Sequence, residues 1–273
     1  MKILNHLLYL DNGALVVQKP SPNLGGKYVP QFLVIHFTGA TSAESAVNWF
    51  LNNNAEASAH LVIGDDGSIT QMAPFNVVTW HAGKSQWAGL KGLNSHSIGI
   101  ELANAGQLEK QGANWVSRLD RKIIANEMVK VAAHKNGGTK TGWHTFSEIQ
   151  LKTANEIANL LVSHYGLKDI VGHDDIAPGR KVDPGPAFPM SSFRSRALGR
   201  KDETIDDYMT LDSLNIRKGP GSEFEPITKP LPKGTIVSVI RTEGSWGFVD
   251  VETSVHNLND LQGWVAIKFL GKV

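Results

Sequence analysis

The stretch FLVIH at residues 32–36 decides the fold, because it is a continuous apolar run with β-branched residues that ends on a histidine. Such a run is typical of a strand buried on both faces in the interior of a sheet. The stretch SIGIEL at residues 97–102 has the same character and carries one carboxylate, Glu101. Both stretches predict inner strands of a largely buried central sheet.

The sequence around these strands predicts a hairpin. The stretches HLVI (60–63) and SITQM (68–72) flank DDG (65–67), which is a turn signal between two apolar runs. Strand patterns and helical patterns alternate as far as about residue 195. We therefore expect an α/β domain with a central mixed β-sheet flanked by helices.

Three stretches have helical patterns. The sequences TSAE (41–44) and TFSE (145–148) both have the Thr-x-x-Glu form of a capping box and precede apolar residues at helical spacing. The third pattern runs through Ile124, Met128 and Val131. We expect a helix in each place, with Thr41 and Thr145 as the caps of the first two.

The character of the chain changes near residue 200. Beyond residue 207, short alternating runs are separated by Gly and Pro turns, which is typical of an all-β fold. The stretches LNIRKGPG (214–221), PKGTIVSV (232–239) and GWV (263–265) resemble a bacterial SH3-like domain. We therefore divide the chain into an α/β domain at 1–195, a linker at 196–206 and a small SH3-like β-barrel at 207–273.

The composition limits the kinds of partner and of site. Lys and Arg number 27 against 26 for Asp and Glu, so a formal charge of +1 gives no indication of a nucleic-acid partner or an anionic membrane. The chain has no cysteine, which excludes disulfides, thiolate zinc sites and cysteine nucleophiles. Histidines and carboxylates are left as the strong metal ligands.

The N-terminal residues do not have the pattern of a conventional signal peptide, since polar residues interrupt the apolar run before a cleavage site appears. No uninterrupted apolar run reaches the ~18 residues of a spanning helix, so we expect no membrane span. A cytoplasmic location and export by a non-Sec route both fit this sequence.

The residue types that carry chemistry are concentrated at residues 171–186, VGHDDIAPGRKVDPGP. Its Pro and Gly residues restrict the backbone, so side chains can be held in place without regular secondary structure. His173 and Asp183 bracket this loop, and zinc readily takes imidazole and carboxylate ligands. A catalytic zinc site needs three protein ligands and an open position. His36 is the best candidate for the third ligand, because it follows a buried strand at the rim of the sheet.

The other histidines have weaker signals. We expect His134 and His164 to be surface or boundary residues, because they lie in apparently helical stretches beside polar neighbours. His81 stands in the sequence WHAG (80–83), where an aromatic ring, an imidazole and a Gly turn suit contact with sugar or peptide. An ordinary loop histidine is an equally good interpretation of His81.

Five blocks of sequence together resemble one family: LVIH (33–36), SAH (58–60), WHAG (80–83), SIGIE (97–101) and GHDDIAPGRKVDPGP (172–186). They resemble the N-acetylmuramoyl-L-alanine amidases of the amidase-2 family. That family includes AmpD-type and AmiD-type enzymes, phage lysozyme-type amidases and peptidoglycan recognition proteins. The blocks stand in the family's order across residues 30–190, and the last block is close to diagnostic.

This resemblance implies a set of site residues. His36, His173 and Asp183 match the family's zinc ligands and would hold one Zn²⁺ per chain. Glu101 matches the catalytic glutamate and Lys181 the lysine beside the metal. Asp183 stands where some phage and recognition-protein members have cysteine, which places this chain nearer the AmpD and AmiD branch.

The resemblance also implies the substrate, peptidoglycan or a muropeptide, and the reaction, hydrolysis of the amide between N-acetylmuramic acid and L-alanine. We expect the substrate to be bound by His60, Trp80, His81 and Asn94. Two other classes of function were weighed: a non-catalytic peptidoglycan receptor of the same fold, and an interaction protein that works through its β-domain. The receptor is less favoured because the ligands, Glu101 and Lys181 are all present.

Overall fold

The computed structural model describes residues 1–198, 207–251, 255–256, 258 and 261–272. The chain forms two compact units, Met1–Met190 and Ser191–Val273. The predicted linker at 196–206 lies mostly outside the described residues, and its first three residues are helical. The domain boundaries drawn from the sequence stay a prediction.

The first unit contains seventeen short strands and three helices. The strands are β1 (Lys2–Leu4), β2 (Leu7–Tyr9), β3 (Val17–Gln18), β4 (Leu24–Lys27), β5 (Phe32–Phe37), β6 (Leu61–Ile63), β7 (Ile69–Gln71), β8 (Val77–Thr79), β9 (Gln86–Trp87), β10 (Leu90–Lys91), β11 (Ser97–Leu102), β12 (Leu108–Gln111), β13 (Asn114–Ser117), β14 (Ile123–Ile124), β15 (Val129–Ala132), β16 (Thr141–His144) and β17 (Asp169–Gly172). The helices are α1 (Ala43–Leu51), α2 (Glu148–Tyr165) and α3 (His173–Ile176).

A six-stranded mixed sheet is the centre of this unit, with the strand order β17-β5-β11-β6-β7-β3. All neighbours in it are parallel except the β6–β7 pair. The predicted inner strands β5 and β11 are adjacent, and most of their residues are buried, as their apolar sequences require. The predicted hairpin is also confirmed, since β6 and β7 pair antiparallel. The predicted central mixed sheet is therefore confirmed.

The first two predicted helices form, but their caps differ from the prediction. The residue before α1 is Ser42, and the Thr41 hydroxyl instead donates to the Asp120 carboxylate. The cap of α2 is Ser147, whose hydroxyl accepts from the backbone N–H of Gln150. Helix α1 packs Val47 and its neighbours against the central sheet. Both helices lie where the apolar periodicity placed them, and the correction concerns only the capping residue.

The third predicted helix, through Ile124 and Val131, is wrong. Residues 123–132 form β14, a single 3₁₀ turn and β15. β14 pairs with β13, and β15 pairs with β16 from Val129↔His144 to Ala132↔Thr141. The β-branched residues of this segment favour strands. Their pairing with neighbouring strands outweighs the helical spacing of the apolar residues.

The second unit begins with α4 (Met190–Leu198), and the rest of what is described in it is all-β. Its strands are β18 (Asp207–Thr210), β19 (Ile236–Glu243), β20 (Trp246–Val251), β21 (Gln262–Ala266) and β22 (Leu270–Lys272). They form an antiparallel sheet with the order β21-β20-β19-β18-β22. Its own buried core contains Leu214, Ile216, Leu231, Val237, Val249 and Val265. The all-β character is confirmed, and the SH3-like assignment stays a prediction.

Within the residues that the structure describes, no helix has the length and apolar character needed to cross a membrane.

Candidate metal centre and cleft

Three side chains that are distant in the sequence meet beside the carboxyl ends of two neighbouring strands, β5 and the edge strand β17. His36 lies near the end of β5, and His173 is the first residue of α3, directly after β17. These strands are parallel neighbours with Gly172 opposite Ile35, so the register brings both histidines to the same edge of the sheet. Asp183 joins them from the loop that follows α3.

The three ligand atoms form a triangle. The Nδ1 atoms of His36 and His173 are 2.9 Å apart, and each lies 2.9 Å from Oδ2 of Asp183. All three residues are buried, with His36 only 1% exposed. The structure thus brings together the two imidazoles and the carboxylate that the sequence predicted as ligands.

The loop is held in place by backbone and side-chain hydrogen bonds. The Asp174 N–H donates to the Asp183 carbonyl at 2.8 Å, which brings the two ends of the loop together. The Asp174 carboxylate is buried; its Oδ2 is hydrogen-bonded to His134 at 2.9 Å, and its Oδ1 forms an ion pair with Lys135 at 2.9 Å. His134 is therefore a buried, paired residue that follows a strand, and its predicted surface position is wrong.

The outer nitrogens of both histidines already have partners. Nε2 of His173 lies 3.1 Å from the Ala82 carbonyl, which can only accept, so the ring proton is on Nε2 and Nδ1 has the lone pair. Arg180 Nη2 is 3.4 Å from this Nε2, but it donates to the Ala82 and Lys84 carbonyls at the shorter distance of 2.7 Å. Nε2 of His36 lies 2.9 Å from Nδ1 of His81.

The charges of this group suit a cation. Burial, followed by the nearby charge of His173, lowers the pKa of His36 to about 4, so its imidazole is neutral at pH 7. Burial would raise the pKa of Asp183, but the imidazoles of His173 and His36 outweigh it and hold that pKa below a carboxyl's usual range. Lone pairs that converge at 2.9 Å repel one another unless a cation lies among them. The donor set therefore fits Zn²⁺, which binds His nitrogen and carboxylate oxygen.

Glu101 stands beside this centre. It is the register partner of His36 across β11 and β5, and its Oε2 atom is buried without a hydrogen-bond partner among the described residues. Burial, then the negative charge of Asp183, raises the pKa of Glu101 well above the usual value, while Lys181 opposes the rise. A buried carboxylate oxygen without a partner is costly, and such groups mark functional sites.

The metal centre and Glu101 lie in a cleft with a volume of about 870 Å³. Lys181 and Arg180 contribute positive charges to its lining, beside the carboxylates of Glu101 and Asp183. Most of the rest is apolar, and it includes the partly exposed side chains of Trp49, Trp80, Leu119 and Val182. An apolar cleft with a few convergent polar groups is the usual form of a small-molecule site.

The sequence pattern that defines one known family, described as N-acetylmuramoyl-L-alanine amidase, matches residues 26–186, which is more than half of the chain. The chain belongs to this amidase family. All the ligand atoms of the metal centre and Glu101 lie within the matched residues. The resemblance drawn from five sequence blocks is confirmed.

Named relatives of this amidase include two from Escherichia coli strain K12. The 1,6-anhydro-N-acetylmuramyl-L-alanine amidase AmpD is 31% identical over 180 residues, which cover 65% of this chain and 76% of AmpD. The N-acetylmuramoyl-L-alanine amidase AmiD is 28% identical over 176 residues, which cover 61% of this chain and 53% of AmiD. The chain therefore spans about half the length of AmiD.

Two solved structures are also similar to this amidase. A selenomethionine derivative of AmpD covers 72% of this chain and 99% of its own, with 25% identity and a TM-score of 0.49. The E. coli AmiD complex with the substrate anhydro-N-acetylmuramic acid-L-Ala-D-gamma-Glu-L-Lys covers 67% of this chain and 61% of its own, with 28% identity and a TM-score of 0.45.

The cleft of the amidase contains seven of the nine residues that the sequence predicted for the site. These are His36, Trp80, His81, Glu101, His173, Lys181 and Asp183. The lining, as far as the structure describes the chain, does not include His60 or Asn94. The roles of all nine stay predictions.

His60 and Asn94 occupy structural positions. His60 is fully buried and accepts at Nδ1 from the Gly99 N–H at 3.0 Å, while its Nε2 donates to the Val77 carbonyl at 3.0 Å. Burial lowers the pKa of His60 to about 3, so it is neutral. Asn94 accepts from the Ala82 N–H at 2.7 Å and so braces the segment 80–83.

Trp49 and Leu119 are among the cleft residues that sequence reasoning missed. Trp49 lies on α1 and is 54% exposed, because it falls outside the helix's apolar stripe of Ala46, Val47 and Phe50. A large aromatic residue that does not fall on the buried face of a helix could have been recognised in the sequence as a candidate for a binding surface. Leu119 is 64% exposed and has no sequence pattern that marks it. It lies at the cleft next to Asp120, whose carboxylate accepts from the backbone N–H of Thr41, far away in the sequence.

Proposed function

We propose that this chain is a zinc-dependent enzyme that hydrolyses the amide bond between N-acetylmuramic acid and L-alanine in peptidoglycan or muropeptides. The observation that carries the proposal is the meeting of three possible ligand atoms, 2.9 Å apart, in a cleft beside the buried Oε2 atom of Glu101, which has no hydrogen-bond partner among the described residues. Membership of the amidase family and the names of the AmpD and AmiD relatives support the reaction and its substrate class.

One zinc ion per chain would be held by Nδ1 of His36, Nδ1 of His173 and the carboxylate of Asp183. The bound ion supplies Lewis acidity and lowers the pKa of a coordinated water to about 7. With three protein ligands, the site would keep a coordination position for water or substrate, as catalytic zinc sites do.

Glu101 is the proposed proton carrier. Its free Oε2 atom accepts a proton from the water that attacks the lactyl carbonyl carbon. When the C–N bond breaks, Glu101 returns that proton to the departing nitrogen of L-alanine, so the carboxylate is regenerated. General acid–base catalysis of this kind contributes about 10²–10⁴-fold.

Lys181 and the aromatic side chains bind and orient the substrate. Lys181 lines the cleft, where its positive charge would stabilise the oxyanion that develops on the attacked carbonyl. The exposed rings of Trp49 and Trp80 offer flat apolar surfaces to the sugar and the stem peptide. We propose further that the C-terminal all-β unit is an SH3-like domain that holds the enzyme on the cell wall.

The test is a digestion of purified sacculi and of anhydro-muropeptides in parallel by the full-length chain, with products identified by mass and zinc measured in the same protein. We expect release of peptides with a free L-alanine amino group and about one zinc per chain. Zinc-loaded protein that binds either substrate without releasing peptide would instead identify a receptor. Products cleaved at a glycosidic bond would contradict the amidase assignment.

A further inference from the structure

The side chain of His81 lies between a predicted metal ligand and a backbone carbonyl. Its Nδ1 atom is 2.9 Å from Nε2 of His36, and its own Nε2 is 3.2 Å from the Ser97 carbonyl oxygen. The two imidazoles meet edge to face, with an angle of 83° between the rings. His81 is 8% exposed, so few waters compete for these hydrogen bonds.

The direction of each hydrogen bond follows from the groups of Ser97 that face Nε2 of His81. The Ser97 carbonyl can only accept, and the Ser97 hydroxyl, 3.3 Å from Nε2, donates its proton to the Leu93 carbonyl at 2.6 Å. Nε2 of His81 therefore carries the proton, and Nδ1 of a neutral His81 is an acceptor. His36 must then donate from Nε2, which leaves the lone pair of His36 on Nδ1. That lone pair is the one directed at His173 and Asp183.

We propose that His81 is a positioning residue that fixes the tautomer and ring orientation of His36 and thereby strengthens metal binding. This inference rests on the proposed zinc site. Partners that bond to the outer nitrogen of a ligating histidine commonly contribute 10–100-fold to metal affinity. The partner here is the imidazole of His81, which is itself bonded to the Ser97 carbonyl of β11. Two hydrogen bonds in series therefore connect β11 to His36.

The surroundings of His81 are shaped for its ring. A Cβ atom at Gly99 would come within 2.5 Å of Cγ and 2.7 Å of Nδ1 of His81, so only glycine leaves room there on β11. The next residue, Ala82, accepts with its carbonyl from Nε2 of His173. Adjacent residues therefore orient both ligating histidines, one through a side chain and the other through the backbone.

The same contacts argue against the role in substrate contact predicted for His81. Both ring nitrogens already have partners, so the imidazole has no further polar atom to offer to a sugar or peptide. Trp80, 37% exposed beside it, is the member of this segment that presents a surface to the cleft.

Two substitutions of His81 distinguish a role in positioning His36 from a role in packing alone. In His81→Asn the Oδ1 atom can take the place of Nδ1 and still accept from His36, because Asn and His have the same branching at Cγ. His81→Leu has a similar volume and no acceptor. His164→Ala, at an exposed position of α2, is the matched control.

The measurement is the zinc dissociation constant of each full-length protein, by competition with a chelating dye. We expect His81→Leu to weaken zinc binding about 10–100-fold. His81→Asn should retain most of the affinity, and His164→Ala should match the wild type. In zinc-free protein, ¹H–¹⁵N spectra should show the His36 proton on Nε2 in the wild type and in His81→Asn, and lose that preference in His81→Leu.

Unchanged zinc affinity and an unchanged His36 tautomer in His81→Leu would overturn the inference. If that variant does not fold, His81→Ala takes its place as the acceptor-free variant. A wild-type His36 with its proton on Nδ1 overturns the inference without any variant. A wild-type protein that binds no zinc would overturn the proposed function itself, and this outcome is distinct from equal affinities in wild type and variant.

Discussion

Glu101 and His36 are directly paired residues of the parallel strands β11 and β5. Paired residues on neighbouring strands project from the same face of a sheet, so the backbone fixes the separation between the carboxylate and the ligating imidazole. Both strands are buried and central, which makes this separation insensitive to movements of the surrounding loops. The proposed proton carrier and one proposed ligand thus lie on adjacent inner strands of the central sheet.

Replacement of Glu101 by Gln should remove turnover and leave zinc binding intact. The amide keeps the size of the side chain but cannot accept the proton, so we expect kcat to fall by about 10²–10⁴-fold. Because the amide also removes a carboxylate whose pKa is raised by burial, the free energy of unfolding at pH 7 should be unchanged or higher. Glu109→Gln, at an exposed carboxylate, is the control. Full turnover by Glu101→Gln would remove this mechanism.

Addition of zinc should stabilise the folded chain. Zinc binds the assembled ligands and not the separated ones of the unfolded chain, so free zinc at 1,000 times its dissociation constant adds about 4 kcal/mol. Thermal unfolding with zinc and with a chelator measures this gain. Asp183→Ala, which removes one vertex of the triangle, should lose most of it. An equal gain in wild type and Asp183→Ala would place the zinc elsewhere.

Substitution of Gly99 by Ala should weaken zinc binding and lower stability. The new methyl group would overlap the ring of His81 at 2.5 Å, so the ring must move away from His36. We expect a loss of about 1–3 kcal/mol from overpacking. Gly26→Ala is the control, because its Cβ would meet nothing within 4 Å. Chemical denaturation and zinc competition check both effects, and equal values for the two variants would contradict the prediction.

Asp120 should stabilise the chain only when it is ionised. Burial would raise its pKa, but hydrogen bonds from Ser117 and Thr41 outweigh burial and lower the pKa to about 2, from 3.8. Since the folded pKa is below the unfolded one, the stabilisation is complete above about pH 4 and disappears as the pH falls through about 2. The difference in unfolding free energy between wild type and Asp120→Asn should be about 2 kcal/mol above pH 4 and shrink below it. A difference that is constant with pH would contradict this assignment.

A chain that ends at residue 198 should keep hydrolysis of soluble muropeptides and lose binding to sacculi. Every residue of the candidate site lies in the first unit, and the second unit has its own buried core. Co-sedimentation with sacculi measures the binding, with full-length Glu101→Gln as the inactive control that should still bind. Equal sedimentation of the truncated and full-length chains would show that the second unit does not hold the enzyme on the wall.

The inner strands and the meeting of His36, His173 and Asp183 could be predicted from the sequence, and the role of these three residues as metal ligands stays a prediction. Strands buried on both faces have continuous apolar sequences, so they can be recognised directly. The loop that carries His173 and Asp183 has an unusual composition and resembles one particular family. The pairing of Glu101 with His36 could not be predicted, because it depends on the register of two strands far apart in the chain.

Other parts depended on partners that local patterns do not contain. Thr41 stands at the capping position of a Thr-x-x-Glu pattern, but its hydroxyl donates a hydrogen bond to the carboxylate of Asp120, 79 residues away. The helical spacing around Met128 is overridden by pairing with β13 and β16. The hydrogen bonds of His81 could not be predicted, since neither His36 nor the Ser97 carbonyl is near it in the sequence.

The segment that contains His81 and Ala82 should determine how the candidate metal centre loses its metal ion. His81 bonds to His36, the next residue, Ala82, bonds to His173, and Asn94 accepts from the Ala82 N–H between them. A displacement of this single turn would misdirect two of the three ligands together. Damage to the turn should therefore abolish metal retention in one cooperative step and not produce a partly liganded, weakly active enzyme.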